Sequence, residues 1–155
     1  MVDTQYNFDD TEDPPPYWFN IVKEEISHLL SDNIFTKYPK NSFLSIVFTN
    51  DQHMKSINRQ FRNIDKTTDV LSFPYNEKVE DRYFLGEIII SINKATRDAR
   101  SNNISLLSEL FILIIHGITH ILGYDHHNNQ QELEMKTIEK QLMQHITCIG
   151  RCSTV

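Results

Sequence analysis

The amino-acid sequence predicts a single-domain α+β protein in which a mixed β-sheet packs against helices and one central helix carries histidines. First, the chain has 155 residues, the length of one compact domain. Second, strand-like and helical segments alternate up to residue 91, and only helical segments follow. Third, residues 105–122 are apolar on nearly every side, so this helix belongs in the interior. We expect one domain over residues 1–155, with residues 1–16 as an acidic leader that ends in three prolines.

The first half of the chain is predicted to contain two strands and two helices. A short edge strand is expected in the leader at residues 5–8. Apolar residues recur with helical period from 18 to 30 and predict the first helix. Residues 43–49 are β-branched and aromatic, which favours a strand, and Asn50 or Asp51 then caps a second helix. The inner face of that helix is predicted to consist of three apolar residues: Met54, Ile57 and Phe61.

The second half is predicted to contain two strands followed by three helices. The strands cover residues 70–73 and 84–91 and are joined by a polar loop that holds Tyr75 and Tyr83, two rings that could stack on bases or simply pack. Pro74 ends the first of these strands and indicates an edge position, because proline has no N–H to donate to a neighbouring strand. The helices are predicted at residues 93–102, 105–122 and 131–146.

Composition and charge exclude several classes of protein. Hydrophobic residues make up 39% of the chain, which excludes a disordered protein. The formal net charge is -6, but residues 1–13 hold five acidic residues and no Lys or Arg, so the remainder carries 15 basic against 16 acidic residues. A globally basic binding protein is therefore excluded, whereas a local basic face is not.

The sequence favours a soluble cytoplasmic protein. Cys148 and Cys152 do not have the spacing of a zinc or redox pair and are too few for a disulfide framework, which indicates a reducing compartment. The acidic N-terminus has no signal-peptide pattern. The apolar stretch at 104–122 contains Glu109 and two histidines, which argues against a membrane span.

Three histidines predict a metal site. His116 and His120 lie one helical turn apart, so both imidazoles can reach one ion. Gly123 stands where a left-handed cap would end the helix, and the chain reversal can bring His126 back as a third ligand. Two histidines alone would fit hydrogen bonding inside the core equally well, but three with an open fourth position are typical of catalytic Zn²⁺, and another divalent transition metal is possible.

Two neighbours of His126 leave alternatives open. His127 follows it directly, and adjacent residues can hardly both bind one ion, so we expect His126 to be the ligand and His127 to be the alternative. Asp125 either accepts a hydrogen bond from a ligand imidazole or shapes the turn.

A zinc-peptidase pattern, H-E-x-x-H-x-x-G-x-x-H, matches these residues except at one position. Gly117 stands where the peptidase has the glutamate that acts as general base. Proteolysis is therefore the less favoured prediction.

The motifs together resemble the YbeY family of bacterial metal-dependent endoribonucleases that mature ribosomal RNA. The resemblance rests on HGITHILGYDHH at 116–127, INRQFRNIDKTTDVLSFPY at 57–75 and LGEIIIS at 85–91, and it covers about two-thirds of the chain. It implies an α+β fold similar to zinc metalloproteases, a metal site formed by the three histidines, and cleavage of single-stranded RNA in rRNA maturation and ribosome quality control. It also implies association with ribosomal particles, with neither DNA nor a membrane as a partner.

The resemblance assigns Arg62 to substrate handling or catalysis. A guanidinium can bind two oxygens of a transferring phosphoryl group, although on the residues alone Arg62 fits an ordinary exposed arginine better.

Two rows of basic residues, which also contain the acidic residues Asp65 and Asp98, are candidate RNA contacts. Two other functions stay open: a zinc-dependent peptidase-like hydrolase, and a non-catalytic ribosome-assembly factor with a structural metal. The basic rows are Lys55, Arg59, Arg62 and Lys66, and Lys94, Arg97 and Arg100.

Overall fold

A computed structural model of the chain describes residues 2–6, 16–31 and 33–147. Most of the acidic leader and the two cysteines, Cys148 and Cys152, lie outside the described residues, so the predictions made for them are not addressed by it. The predicted α+β class is confirmed. The described elements are β1 (Val2–Tyr6), α1 (Tyr17–Leu30), a short 3₁₀ turn (Asn33–Phe35), β2 (Ser42–Thr49), α2 (Asp51–Arg62), β3 (Val70–Val79), β4 (Arg82–Ser91), α3 (Ile92–Ser101), α4 (Leu106–Ile121) and α5 (Asn129–Met143).

The four described strands form one mixed sheet in the order β1-β2-β4-β3. β1 runs parallel to β2 and β2 runs parallel to β4, whereas β3 and β4 are antiparallel. The mixed sheet and the edge position of β3, which contains Pro74, are both as predicted. The edge strand expected in the leader overlaps β1, although residues 7 and 8 lie outside the described part of the chain.

The prediction of a polar loop between the last two strands is wrong, because the two strands form a β-hairpin there. β3 continues to Val79, and a tight turn with a left-handed residue at Glu80, φ 56°, leads into β4. Tyr75 and Tyr83 therefore lie in strands. The outer half of β3 is exposed, so its side chains do not alternate between apolar and polar. It is a strand only by its backbone pairing with β4, which the sequence pattern does not show.

The predicted inner face of α2 is wrong at one residue. Met54 is fully buried and Ile57 is partly buried, but Phe61 is 62% exposed and only touches Phe73 edge-on at 5.3 Å between ring centroids. Asn58 faces inward instead, and its Nδ2 donates a hydrogen bond of 2.9 Å to the carbonyl of Lys66. Near the end of α2, a polar residue rather than Phe61 therefore faces inward and binds the loop that follows the helix. Helical periodicity alone does not show this.

The histidine-bearing helix α4 lies in the centre of the fold, as predicted. It packs against the sheet and against three other helices, and eleven of its 16 residues are buried. Ser105 caps its first turn by accepting a hydrogen bond of 3.1 Å from the backbone N–H of Ser108. This burial holds the last two turns of α4 in place, which positions the residues of the site.

No single helix among the described residues is both long and apolar enough to cross a membrane. The helices α3 and α4 meet those criteria only together, and they are bent by 115° relative to each other.

Candidate metal centre

The structure brings the three predicted histidines together. His116 and His120 lie on the last turns of α4, Gly123 reverses the chain with φ 97°, and His126 returns to the same place. One possible ligand atom from each residue lies within 4.8 Å of the others. The Nε2 atoms of His116 and His120 are 3.2 Å apart. Two nitrogens bound to one tetrahedral Zn²⁺ would be separated by roughly 3.3 Å, given metal–nitrogen bonds of about 2.0–2.1 Å. The three side chains are thus able to bind one metal ion.

A glutamate that the sequence analysis did not single out as functional fixes one of these imidazoles. Glu139 on α5 lies 2.7 Å from Nδ1 of His116, through its Oε1. With Nδ1 carrying the proton donated to the carboxylate, the lone pair of Nε2 is free for an ion. No local motif could have revealed this pair, because 23 residues separate the partners and only the packing of α5 against α4 joins them.

The surroundings of His120 lower its pKa and so favour the neutral form that a metal ligand requires. Burial is the main cause that lowers its pKa, and the positive charge of a protonated His116 would lower it further. Asp125 and a hydrogen bond with the backbone of Tyr124 act in the opposite direction, but they are weaker than burial. A lowered pKa keeps an imidazole lone pair available near neutral pH.

The adjacent histidines and Asp125 have different surroundings. The side chain of His127 is 78% exposed, its Nε2 lies 2.7 Å from the carboxylate of Asp125, and it is not one of the three side chains that come together. The other oxygen of Asp125 accepts a hydrogen bond of 2.8 Å from the backbone N–H of His126, which is the main cause of its lowered pKa. Asp125 therefore shapes the turn, and it is Glu139 that contacts an imidazole of the cluster.

A cavity of about 850 Å³ opens beside the three histidines. Arg62, the last residue of α2, lines it, so the structure brings this predicted residue to the site. The edge strand β3 lines it as well, as do two basic residues of α5 that the sequence analysis missed. These additional lining residues are Val70, Ser72, Lys136 and Lys140.

Three of the seven basic residues predicted as RNA contacts form ion pairs and do not line the cavity. Arg97 lies 2.6 Å from Asp51, Lys94 lies 2.6 Å from Asp98, and Lys55 lies 3.9 Å from Asp65. Of the two predicted rows, Arg62 alone lines the cavity. Charge counting along the sequence could not show which cations the fold neutralises.

Glu109 adds a buried carboxyl to the cavity wall. It is 6% exposed and lies two turns before His116 on α4. Burial raises its pKa, and the negative charges of Asp98 and Asp69 raise it further, against a smaller opposite effect of Lys94. Its position in the predicted apolar stretch was visible in the sequence, whereas its place beside the cavity depends on how α4 packs.

Gly117 packs directly against the sheet. A Cβ atom at this position would lie 2.9 Å from the side chain of Ile88 on β4. A glutamate in its place would have to displace Ile88 in the core between α4 and β4, which disfavours the base of a zinc peptidase at that position.

Comparison with known proteins agrees with this geometry. The model of the family described as Endoribonuclease YbeY matches residues 14–147. The chain belongs to the YbeY family. This confirms the resemblance seen in the sequence and extends it toward the N-terminus as far as residue 14.

Several proteins named Endoribonuclease YbeY are similar over most of their length. The Acholeplasma laidlawii protein is 35% identical, over 81% of this chain and 92% of the relative. The Shouchella clausii protein is 31% identical, over 93% of this chain and 94% of the relative. A Thermotoga maritima protein solved in solution has a TM-score of 0.67 at 26% identity, covering 99% of this chain and 94% of that chain.

Proposed function

We propose that the protein is a metal-dependent endoribonuclease that cleaves single-stranded RNA during ribosomal RNA maturation and ribosome quality control. Its membership of a family of endoribonucleases supports hydrolysis of RNA phosphodiester bonds. The observation that carries the proposal is the convergence of three imidazoles beside a cavity that Arg62 also lines. Ribosomal particles are the proposed partners and the cytoplasm the proposed location, with no role for DNA.

We propose that His116, His120 and His126 hold one Zn²⁺ ion. Three imidazole donors with an open fourth position suit zinc, although another divalent transition metal would bind the same atoms. When bound, such an ion polarises a phosphoryl oxygen and lowers the pKa of a water molecule. Glu139 orients His116 for this role through the hydrogen bond to Nδ1.

Arg62 is proposed to bind the phosphate that is cleaved. In hydrolysis, water adds to phosphorus and a bond from phosphorus to a ribose oxygen breaks, so negative charge accumulates on the phosphoryl oxygens. The guanidinium of Arg62 can hold two of these oxygens in a fork and stabilise that charge. Its place on the wall of the cavity that contains the histidines supports this assignment.

The two alternatives are less well supported. A peptidase would need a base where Gly117 contacts Ile88. A purely structural ion would be expected in a closed site with four protein ligands, whereas His126 is exposed and the three histidines line an open cavity.

Elemental analysis combined with a cleavage assay on single-stranded RNA tests the proposal. Wild-type protein should contain about one metal ion per chain and cleave the RNA, and a chelator should stop cleavage while the circular dichroism spectrum stays largely unchanged. The variant His120→Ala should lose both the metal and the activity. Full activity in metal-free protein, or in His120→Ala, would refute the proposal, and loss of the fold with the metal would favour the structural alternative.

A further inference from the structure

Glu109 is a buried carboxyl that receives no hydrogen bond from the part of the chain that the structure describes. It is 6% exposed and is among the residues that line the cavity beside the three histidines. Its backbone N–H donates to the carbonyl of Ser105 in the first turn of α4, but its side chain is influenced only by burial and by charges at a distance. Most buried polar groups in proteins have a partner, so an unpartnered carboxyl in a cavity wall indicates that a ligand supplies the donor.

Glu109 and the predicted metal ligands lie on one face of α4. Two helical turns separate Glu109 from His116, so the two side chains leave the helix within about 20° of the same direction. Their separation along the helix axis is about 10 Å. Between them, Ile112 and Leu113 line the cavity, and Ile112 is 45% exposed. Along α4, the cavity wall therefore runs from a carboxyl over an apolar surface to the candidate metal centre.

The charged neighbours of Glu109 are engaged elsewhere. Asp98 lies 2.6 Å from Lys94, and Asp69 accepts a hydrogen bond of 2.7 Å from the backbone N–H of Val70. Burial and the negative charges of Asp98 and Asp69 raise the pKa of Glu109, which means that the ionised form lacks stabilising contacts. Donors from a bound molecule would stabilise the ionised carboxyl.

The chemistry of the cavity favours a base as that molecule. An ionised carboxyl accepts hydrogen bonds and repels phosphates, whereas cations for a phosphate are present in the same cavity at Arg62 and Lys140. A base has N–H donors at its edge and flat apolar faces that suit Ile112 and Leu113, and a ribose has no such face. One unstacked nucleotide can bridge the separation between the metal centre and Glu109, from its phosphate to the outer edge of its base.

We propose that Glu109 recognises a guanine in the nucleotide next to the scissile bond, by accepting hydrogen bonds from its N1–H and its 2-amino group. This inference rests on the proposed function. Guanine is the base whose Watson–Crick edge has two adjacent N–H donors, which a carboxylate accepts in parallel. Adenine and cytosine have one amino donor beside an acceptor, and uracil has one N–H between two carbonyls that repel a carboxylate. This edge is free only in an unpaired strand, in agreement with a single-stranded substrate.

Two substrates that differ by one amino group test this inference. Both are single-stranded RNAs of uridine with one purine, which is guanosine in the first and inosine, lacking only the 2-amino group, in the second. In the wild type with metal, cleavage should concentrate at one fixed distance from guanosine, and inosine should lower kcat/KM at that bond about tenfold, as expected for one hydrogen bond to a charged group. Glu109→Met should cleave both RNAs equally, because methionine is similarly long and unbranched but has no charged acceptor.

Glu134→Met is the matched control, since Glu134 lies on α5, outside the residues that line the cavity, and accepts a hydrogen bond from Gln130. It should keep the preference for guanosine. Glu109→Ala serves if Glu109→Met fails to fold, and it should also lose the preference. If a variant does not cleave, fluorescence anisotropy gives the ratio of its affinities for the two RNAs, with the same expected result. A third RNA with 2′-deoxyguanosine tests the ribose: it should change kcat/KM by the same factor in the wild type and in Glu109→Met.

Several results would overturn the inference. One is equal cleavage of the guanosine and inosine RNAs by the wild type, and another is a loss of the preference in Glu134→Met. A preference that persists in the Glu109 variants would show that the carboxyl has only a structural role at the start of α4. An effect of 2′-deoxyguanosine that disappears in Glu109→Met would place the contact at the ribose instead of the base. Failure of the proposed function gives a different outcome, because wild-type protein with metal would then cleave none of these RNAs.

Discussion

Replacing Glu139 should weaken metal binding without disturbing the fold. The carboxylate lies 2.7 Å from Nδ1 of His116, and the two side chains are 28% and 34% exposed. A hydrogen bond to a charged group contributes roughly 1.5–3 kcal/mol, and because solvent reaches both partners we take the lower end, about 1.5 kcal/mol. That free energy corresponds to about a tenfold loss of Zn²⁺ affinity in Glu139→Ala, which lies at the low end of the effect usual for such supporting carboxylates.

Competition with a chromophoric chelator measures this affinity in the purified protein. Glu134→Ala is the matched control, because Glu134 lies on the same helix and its side chain only accepts a hydrogen bond from Gln130 on the surface. It should bind Zn²⁺ like the wild type. An unchanged affinity in Glu139→Ala, or the same loss in both variants, would show that the bond to His116 does not orient a metal ligand.

Three further changes have expected outcomes. Equilibrium dialysis should show that His126→Ala loses bound Zn²⁺, whereas His127→Ala retains it because that side chain points to Asp125; the reverse would exchange their roles. Gly117→Ala should lower the free energy of unfolding by about 1 kcal/mol in urea titrations, because the clash of a new Cβ with Ile88 outweighs the gain in helix propensity; equal or higher stability would contradict this. Glu109 has a raised pKa in the folded state, so its contribution to stability is complete below the pKa of the unfolded chain and is lost as pH rises through the folded value. Glu109→Gln should therefore be more stable than the wild type at neutral pH, with a difference that shrinks on acidification, and thermal melts at several pH values that show no such trend would refute it.

Much of the fold was predictable because its signals are local. Helical period, the cap before α2 and the β-branched character of β2 all act between residues close in sequence, and β2, α2 and α4 appear within a few residues of their predicted bounds. Two errors share a cause. The outer part of the β3–β4 hairpin and Phe61 lie outside the core. The pattern of polar and apolar residues there therefore does not indicate which side chains are buried.

The sequence by itself determined which residues of α4 can reach a common ion, because the spacing of His116 and His120 and the left-handed turn at Gly123 are properties of one helix and its end. Only the tertiary structure decided that His126 rather than His127 faces this pair and that Glu139 supports His116. It also decided that Arg62 reaches the cavity while Arg97 pairs with Asp51. These contacts depend on how separate elements pack against one another. Packing brings together residues that are far apart in the sequence, and no repeat or spacing in the sequence indicates which of them will meet.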